Sequence, residues 1–493
     1  MSARQLGKHA VWNVAGQALP IVVAVAVLPL LVQRLGLDRY GFLTLVWVLV
    51  GYLGVFDFGV GRAMTRLVAE RLGAGDAAGA DAHARAALGF LLAMGLLLGA
   101  ALALGAPAIV AALSLPAALE GEAANALRIL ALSLPLVMLT SGYRGYLEAQ
   151  RAFGALNLIR VAMGVATYAL PLLVTWFSAR LEALVLSVLA MRLVANTVHR
   201  RVAARHSPSR LALARPRAGA LKPLLQLGGW MTVSNVVSPL MNHVDRLLVG
   251  VLVPIAAVGL YATAYDVVTK VLILAYSLTQ AAFPLFAGLQ DPARGELLYA
   301  TLAKVMLAVV WPVLFALSLV AGPLFGAWLG PDFVPVAAPA LQILAIGLYF
   351  NALAQVPAML IGSRGDPRWM ALLHLAEAPV FIALMFALTQ RFGVLGTAAA
   401  WALRAAVDSL AVHAIARRRL LAAPVDSRLV VAALVLAPLA LLLPLADWTV
   451  LERVGMGALA LAGFPLLVWA LLLDARERQA LAALLQSRLG RVA

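Results

Sequence analysis

Long apolar runs recur along the whole chain, each closed by a short polar stretch rich in Gly, Pro, Arg or Asp. A helix that crosses a bilayer needs about 20 consecutive apolar residues. On that measure the pattern predicts about 14 transmembrane helices, near residues 10–33, 41–65, 86–112, 124–146, 155–177, 181–200, 224–252, 256–284, 298–321, 335–361, 369–389, 393–416, 429–446 and 452–473. The fold class is an all-α polytopic membrane protein. The first run follows Arg4 and Lys8 and continues to about Gln33, too long for the apolar core of a cleaved leader, so it is expected to be a retained span.

Every connection but one is short. The exception is residues 201–222, RVAARHSPSRLALARPRAGALK, basic and proline-containing, which reads as a join between two halves. The expected organisation is a first lobe of six helices over 1–203, a basic linker over 204–222, a second lobe of six helices over 223–419, and two further helices with an amphipathic tail over 420–493. The halves also repeat. ALRILA at 126–131 returns as ALQILA at 340–345, AMR at 190–192 returns as ALR at 402–404, and Pro20 matches Pro239. LGLDRYGF at 35–42 corresponds to the stretch ending in AVGLY at 257–261. An even number of helices per repeat predicts two lobes of the same orientation, related by an axis along the membrane normal.

Composition agrees with the pattern. Of 493 residues 63% are hydrophobic and 12% charged, well below the roughly 25% charged of soluble domains. The net charge of +16 arises from arginines and lysines gathered in short loops, as orientation in a membrane requires, with no nucleic-acid-reading motif beside them. Arg66, Arg71, Arg85, Arg144, Arg151, the linker cluster and Arg417 to Arg419 fall on one side; Arg34, Arg39, Arg180, Arg391 and Arg453 fall on the other. The bias, roughly five to one, predicts cytoplasmic N- and C-termini. There is no cysteine, which excludes disulfides, thiolate metal sites and cysteine nucleophiles.

Charges inside the apolar segments are the candidate chemistry. The cations are Arg62, Arg128, Arg160, Arg192, Arg246, Lys270, Lys304 and Arg404; the carboxylates are Asp57, Asp245, Asp266, Glu377 and Asp408. A charge at bilayer depth costs roughly 2.5 to 3.5 kcal/mol on insertion scales, so it faces a cavity or a partner. GVFDFGVGRAMTRLVAER, from Gly54 to Arg71, carries Asp57 and Arg62 into the layer and aligns Arg62, Arg66 and Glu70 on one helical face. Asp266 with Lys270 and Arg404 with Asp408 are spaced i, i+4 as potential neutralising pairs. The surplus is basic, which suits an anionic diphosphate held by the planar fork of arginine. Arg62, Arg128, Arg160, Arg192, Arg246, Lys270 and Arg404 are therefore the substrate-binding candidates, and Asp57, Asp266 and Glu377 the ion-coupling candidates. Pro20, Pro29 and Pro239 are either fixed kinks or hinges. His243 and His374 are expected to be packing or interfacial residues.

RLGLDRYGF at 34–42, FDFGVGRAMTRLVAERL at 56–72 and GYLEAQRAFGALN at 145–157 resemble the polysaccharide-biosynthesis flippases of the multidrug/oligosaccharidyl-lipid/polysaccharide exporter superfamily. The resemblance implies two six-helix lobes around a central cavity and alternating access. It also implies transport of a polyprenyl-diphosphate-linked oligosaccharide to the outer leaflet of a bacterial inner membrane, for surface polysaccharide such as lipopolysaccharide, beside polysaccharide polymerase machinery. No cofactor or metal is implied.

No P-loop, zinc-protease motif or nucleophile elbow is present, and the outer loops are too short to house a polymerase or ligase site. A cation-coupled multidrug exporter of the same fold would favour a carboxylate-rich interior, whereas Arg and Lys predominate here. A peptidoglycan-precursor flippase satisfies the same charge logic. Sugar identity and energy source, whether proton, sodium or membrane potential, stay open at the level of sequence.

Overall fold

A computed structural model describes residues 3–53, 57, 59–207, 211, 219, 221–224, 241, 244–288, 292–364, 368–420, 437–446, 448–473 and 478–479. Among these the regular structure is helical throughout. The helices are α1 (Ala3–Leu53), α2 (Val60–Gly73), α3 (Ala77–Ala112), α4 (Ala117–Ala131), α5 (Leu134–Ala149), α6 (Phe153–Thr175) and α7 (Leu181–Arg205), then α8 (Ala256–Thr269), α9 (Leu272–Gly288), α10 (Pro292–Leu319), α11 (Ala321–Trp328), α12 (Val334–Arg364), α13 (Arg368–Arg419) and α14 (Val450–Leu467). Ten stretches of the described residues are long and apolar enough to cross a membrane. Pro239, Trp230, His243 and the predicted amphipathic tail beyond residue 479 lie outside the described residues.

The chain divides into two compact units, Met1–Leu260 and Tyr261–Ala493. In the first, α3 packs on α2, α4 and α5, while α6 packs on α1 and α7. In the second, α12 is central, packed on α9, α10, α11 and α13, and α14 lies against α10. The indole of Trp311 on α10 donates to the Ala437 carbonyl at 2.9 Å and stacks on Phe315 and Phe464, which fixes the C-terminal segments to the second unit.

Two elements are too long for single crossings. At 1.5 Å per residue the 52 residues of α13 would span roughly 78 Å, more than twice a hydrocarbon core. Each turns back at a glycine in the left-handed region, Gly36 (φ 70°) in α1 and Gly393 (φ 57°) in α13. Those are the polar breaks the sequence pattern places between 33 and 41 and between 389 and 393.

Other predicted helices divide in mid-course. The predicted 124–146 helix is α4 plus α5, broken at Leu132–Ser133, where the Ser133 hydroxyl donates to the Leu130 carbonyl at 2.6 Å and Pro135 starts the next helix. The predicted 256–284 helix breaks between α8 and α9 at Lys270–Val271. The predicted 41–65 helix ends at Leu53, and a new helix starts at Val60. Backbone freed at such depth must find partners within the protein. Periodicity in apolar residues does not report these breaks, because the run of hydrophobicity continues through them. Pro20 and Pro29 stay inside helix, and the Pro20 ring lies where it would meet a Cβ on Gly164 of α6 at 2.6 Å.

One end of the first unit is closed by an apolar cluster of Val60, Met64, Val68, Leu88, Leu91 and Tyr143, which also takes in Leu211 and Leu224. Above it lies a polar staple. Asp81 on α3, 3% exposed, accepts from Ser207 Oγ at 2.7 Å, and the Tyr146 hydroxyl lies 3.3 Å from the same carboxylate and 3.1 Å from the His206 carbonyl. Gln150 Nε2 donates to that hydroxyl at 3.1 Å. The start of the basic segment is thus fastened to α3 and α5. Nearby, the Asp76 carboxylate accepts from the Gly79 amide at 2.8 Å and pairs with Arg71 at 3.0 Å; the Gly79 amide above all holds its carboxyl below the ordinary range. Tyr146→Phe removes one donor from buried acceptors, a loss of about 1 to 3 kcal/mol. The expected result is a lower melting temperature in detergent with faster tryptic cleavage after Arg205, checked by a melt and a timed digest. Unchanged cleavage would show that the staple does not hold this segment.

Candidate functional site

In the first unit, Asp57 sits at the break between α1 and α2. Its carboxylate accepts from the Gly59 amide at 2.9 Å and from Ser141 Oγ on α5 at 2.8 Å. This is a side-chain turn that starts α2 and ties it to α5; Thr65 adds a donor within 3.1 Å of the Gly145 carbonyl. One turn on, Arg62 is exposed, while Arg66 pairs with Glu70 at 2.8 Å on the exposed surface.

Three arginines of this unit lie well inside its helices. Arg62 lies eleven residues before the end of α2, Arg128 eleven after the start of α4, and Arg192 eleven after the start of α7. Eleven helical residues rise roughly 16 Å, about half a hydrocarbon core. Arg128 donates to Asn125 Oδ1 at 3.0 Å and is exposed. Arg192 is half-buried, and its Nε is enclosed with no hydrogen-bond partner among the described residues. None of the three pairs with a carboxylate among the described residues. Arg160, seven residues into α6, is also exposed. Where α4 and α7 begin, Glu122 pairs with Arg39 at 3.1 Å and accepts from the Leu181 amide at 3.1 Å. Glu182 there pairs with Arg180 at 3.2 Å. Asp245 and Arg246 are both buried, and the Asp245 side chain accepts from the Arg246 amide at 2.8 Å.

In the second unit the expected Asp266–Lys270 pair is not made. Lys270 falls at the break after α8 and is exposed, because the helix that would align the two ends at Thr269. Asp266 and Lys304 are half-buried. The two arms of α13 instead bring together His374, Glu377 and Phe381, spaced i, i+3, i+7 on one face, with Arg404 and Asp408. His374 Nε2 lies 3.7 Å from Asp408 Oδ1. The Arg404 guanidinium stands 5.2 Å above the Phe381 ring rather than bridging directly to Asp408. Glu377 has both carboxylate oxygens enclosed and without a hydrogen-bond donor among the described residues. The group therefore holds two carboxylates, one guanidinium and, with His413 just over one turn from Asp408 on the same arm, two imidazoles in a packed interior. His374, Phe381 and Ser141 were not among the sequence candidates. The i, i+3, i+7 spacing is the signal that could have placed the first two beside Glu377.

Residues 31–338 match the family model described as polysaccharide biosynthesis protein. A Shigella flexneri protein named "Putative O-antigen transporter" is 27% identical over 408 residues, covering 82% of this chain and 96% of that protein. The Bacillus subtilis teichuronic acid biosynthesis protein TuaB is 24% identical over 225 residues, 45% of each chain. Among solved structures, the lipid II flippase MurJ in an inward closed conformation superposes with a TM-score of 0.72 at 12% identity, covering 92% of this chain and 98% of that one. An inward-facing multidrug resistance MATE family transporter of the MOP superfamily gives 0.66 at 13% identity, over 83% and 98%. At those identities the structures establish the fold alone, and the family match establishes the lineage: the chain is a multi-pass membrane protein of MATE- and MurJ-like fold and belongs to the polysaccharide biosynthesis protein family.

Proposed function

We propose that this protein is a non-enzymatic flippase that carries a polyprenyl-diphosphate-linked oligosaccharide from the inner to the outer leaflet by alternating access, for surface polysaccharide assembly. Two lobes of six helices, fourteen crossings in all, and cytoplasmic termini in a bacterial inner membrane are part of this reading. Family membership and the relative named as an O-antigen transporter support it. The observation that carries it is the set of arginines inside the helices of the first unit, Arg62, Arg128 and Arg192, with no carboxylate partner among the described residues. An uncompensated cation within the membrane is costly unless a ligand supplies the anion. A diphosphate does so, through charge-assisted bonds to guanidinium forks. Arg192 is the foremost ligand, since its Nε is already enclosed and unpartnered. Arg160 and Arg246 extend the basic lining. Arg404, packed on Phe381 beside two carboxylates, is the more compensated charge. Cationic drugs, the substrates of a multidrug exporter, would meet repulsion at these positions.

Arg192→Ala should make lipid-linked oligosaccharide accumulate in the inner leaflet and surface glycan fall, with Arg404→Ala milder. One charge-assisted bond is worth about 1.5 to 3 kcal/mol, a loss of roughly tenfold to over a hundredfold in affinity. Lys at 192 should restore only part, because it keeps the charge and loses the fork. Normal surface glycan in a well-expressed Arg192→Ala protein would refute the assignment. Rescue of cells that lack their own peptidoglycan-precursor transport would instead mark that precursor as the substrate.

The His374, Glu377, Arg404 and Asp408 group is our candidate for energy coupling. Two carboxylates against one guanidinium leave room for one more positive charge. A proton fits better than sodium, because Arg404 and the His374 and His413 rings beside Asp408 leave few oxygens for a metal ion's coordination shell. Asp57 is engaged in the α2 turn and Asp266 stands on α8, so Glu377 is the first of the three ion-coupling candidates. In everted vesicles, Glu377→Gln should leave headgroup binding intact and abolish the acceleration of transport by a proton gradient. Undiminished acceleration would place the coupling elsewhere.

A further inference from the structure

The element α13 starts and finishes at one end of the second unit. Its first arm begins at Arg368 and its second ends at Arg419, and the Arg419 guanidinium lies 4.7 Å above the Trp369 ring. Arg417, Arg418 and Arg419 are all exposed there, and none pairs with a carboxylate among the described residues. At the opposite turn, between Thr389 and Gly396, the only charge is Arg391.

A guanidinium stacked on an indole is held by its flat face, while its N–H donors lie around the rim of the same plane. No partner among the described residues uses the Arg419 donors. Such a rim matches the oxygens of a phosphate. Indole itself settles at the level of lipid headgroups, where its apolar ring and its polar N–H are both satisfied.

Each arm carries an exposed apolar stripe up to this cluster. On the second arm Leu403, Val407, Leu410 and Ala414 are exposed at i, i+4, i+7 and i+11, and Arg417 continues the same face. On the first, Leu372, Ala376 and Val380 are exposed at i, i+4 and i+8, starting one turn beyond Trp369. Arginines head one stripe and an indole heads the other. A phosphate above two hydrocarbon chains has the same order of chemistry. An arginine triplet alone would only orient the helix in its membrane. The stacked pair joining two stripes adds a seat for one molecule.

We propose that Trp369 and Arg417 to Arg419 form a binding site for an anionic glycerophospholipid of the adjoining leaflet, with its phosphate on the arginines and its acyl chains along the two stripes. Such a lipid is a resident of the protein, distinct from the cargo, and its binding stands whatever the cargo is. It would tie together the ends of the same two arms between which His374 and Asp408 meet at 3.7 Å.

In native mass spectrometry of the purified full chain, phosphatidylglycerol should bind at least about tenfold more tightly than phosphatidylcholine with the same acyl chains. Arg418→Ala, Arg419→Ala should remove most of that preference. Arg200→Ala, Arg201→Ala takes the same charge from two exposed arginines of α7 and should leave the preference in place. Trp369→Leu should weaken phosphatidylglycerol binding severalfold, and Trp369→Phe should recover part of it. Equal affinity for the two lipids in the unmodified protein would overturn the site before any variant is made. Equal losses in the two double variants would also overturn it, since net charge alone would then explain the binding, and so would unchanged binding in Trp369→Leu. Displacement of phosphatidylglycerol by an equal amount of polyprenyl diphosphate would overturn it as well, because the phospholipid would then be sitting in the proposed cargo site.

Discussion

Water is absent from the middle of a bilayer, and that constraint governs every polar group in this structure. A charge or an open backbone amide there is costly unless the protein supplies a partner. The helix breaks obey the rule. Asp57 accepts from Gly59 and Ser141 at the head of α2, and Ser133 returns its hydroxyl to the turn between α4 and α5. The end collar of the first unit obeys it through Arg39, Glu122, Arg180 and Glu182. Against that background, Arg192 and Glu377, whose enclosed side-chain atoms find no hydrogen-bond partner among the described residues, are exceptions.

The two units share this constraint and meet it differently. The first leaves Arg62, Arg128 and Arg192 without a carboxylate partner among the described residues, which is what the proposed anion site would need. The second gathers His374, Glu377, Arg404 and Asp408 along the two arms of one element that turns at Gly393, so a change in charge at one member bears on both arms. The separation suits a carrier in which cargo and driving ion act on different parts of the chain.

Much of this was legible in the sequence. Hydropathy placed the long apolar helices, and the basic segment after residue 200 drew attention to the middle of the chain. The short motifs near Arg34, Asp57 and Gly145 pointed to the family. The list of intramembrane charges also contained every charged member of the two candidate groups except His374 and His413. What the sequence pattern could not report is how the chain bends inside an apolar run. The break at Lys270 separates it from Asp266, and the break before Val60 turns Asp57 into the start of a helix. The same limit hid the partners of Glu377. His374 and Asp408 come from different arms of α13, and their 3.7 Å approach depends on the turn at Gly393 rather than on local spacing. Ser114, with three bonds to a segment more than 130 residues away, has no local signature at all.

The central claim is that open arginines in the first unit recognise a diphosphate. Binding of a polyprenyl diphosphate and of the uncharged polyprenol of the same chain length to the purified protein, measured side by side by native mass spectrometry, tests it most directly. The account predicts that the diphosphate binds at least about tenfold more tightly, an advantage that shrinks as salt rises. Equal affinity for the charged and uncharged lipids would contradict it.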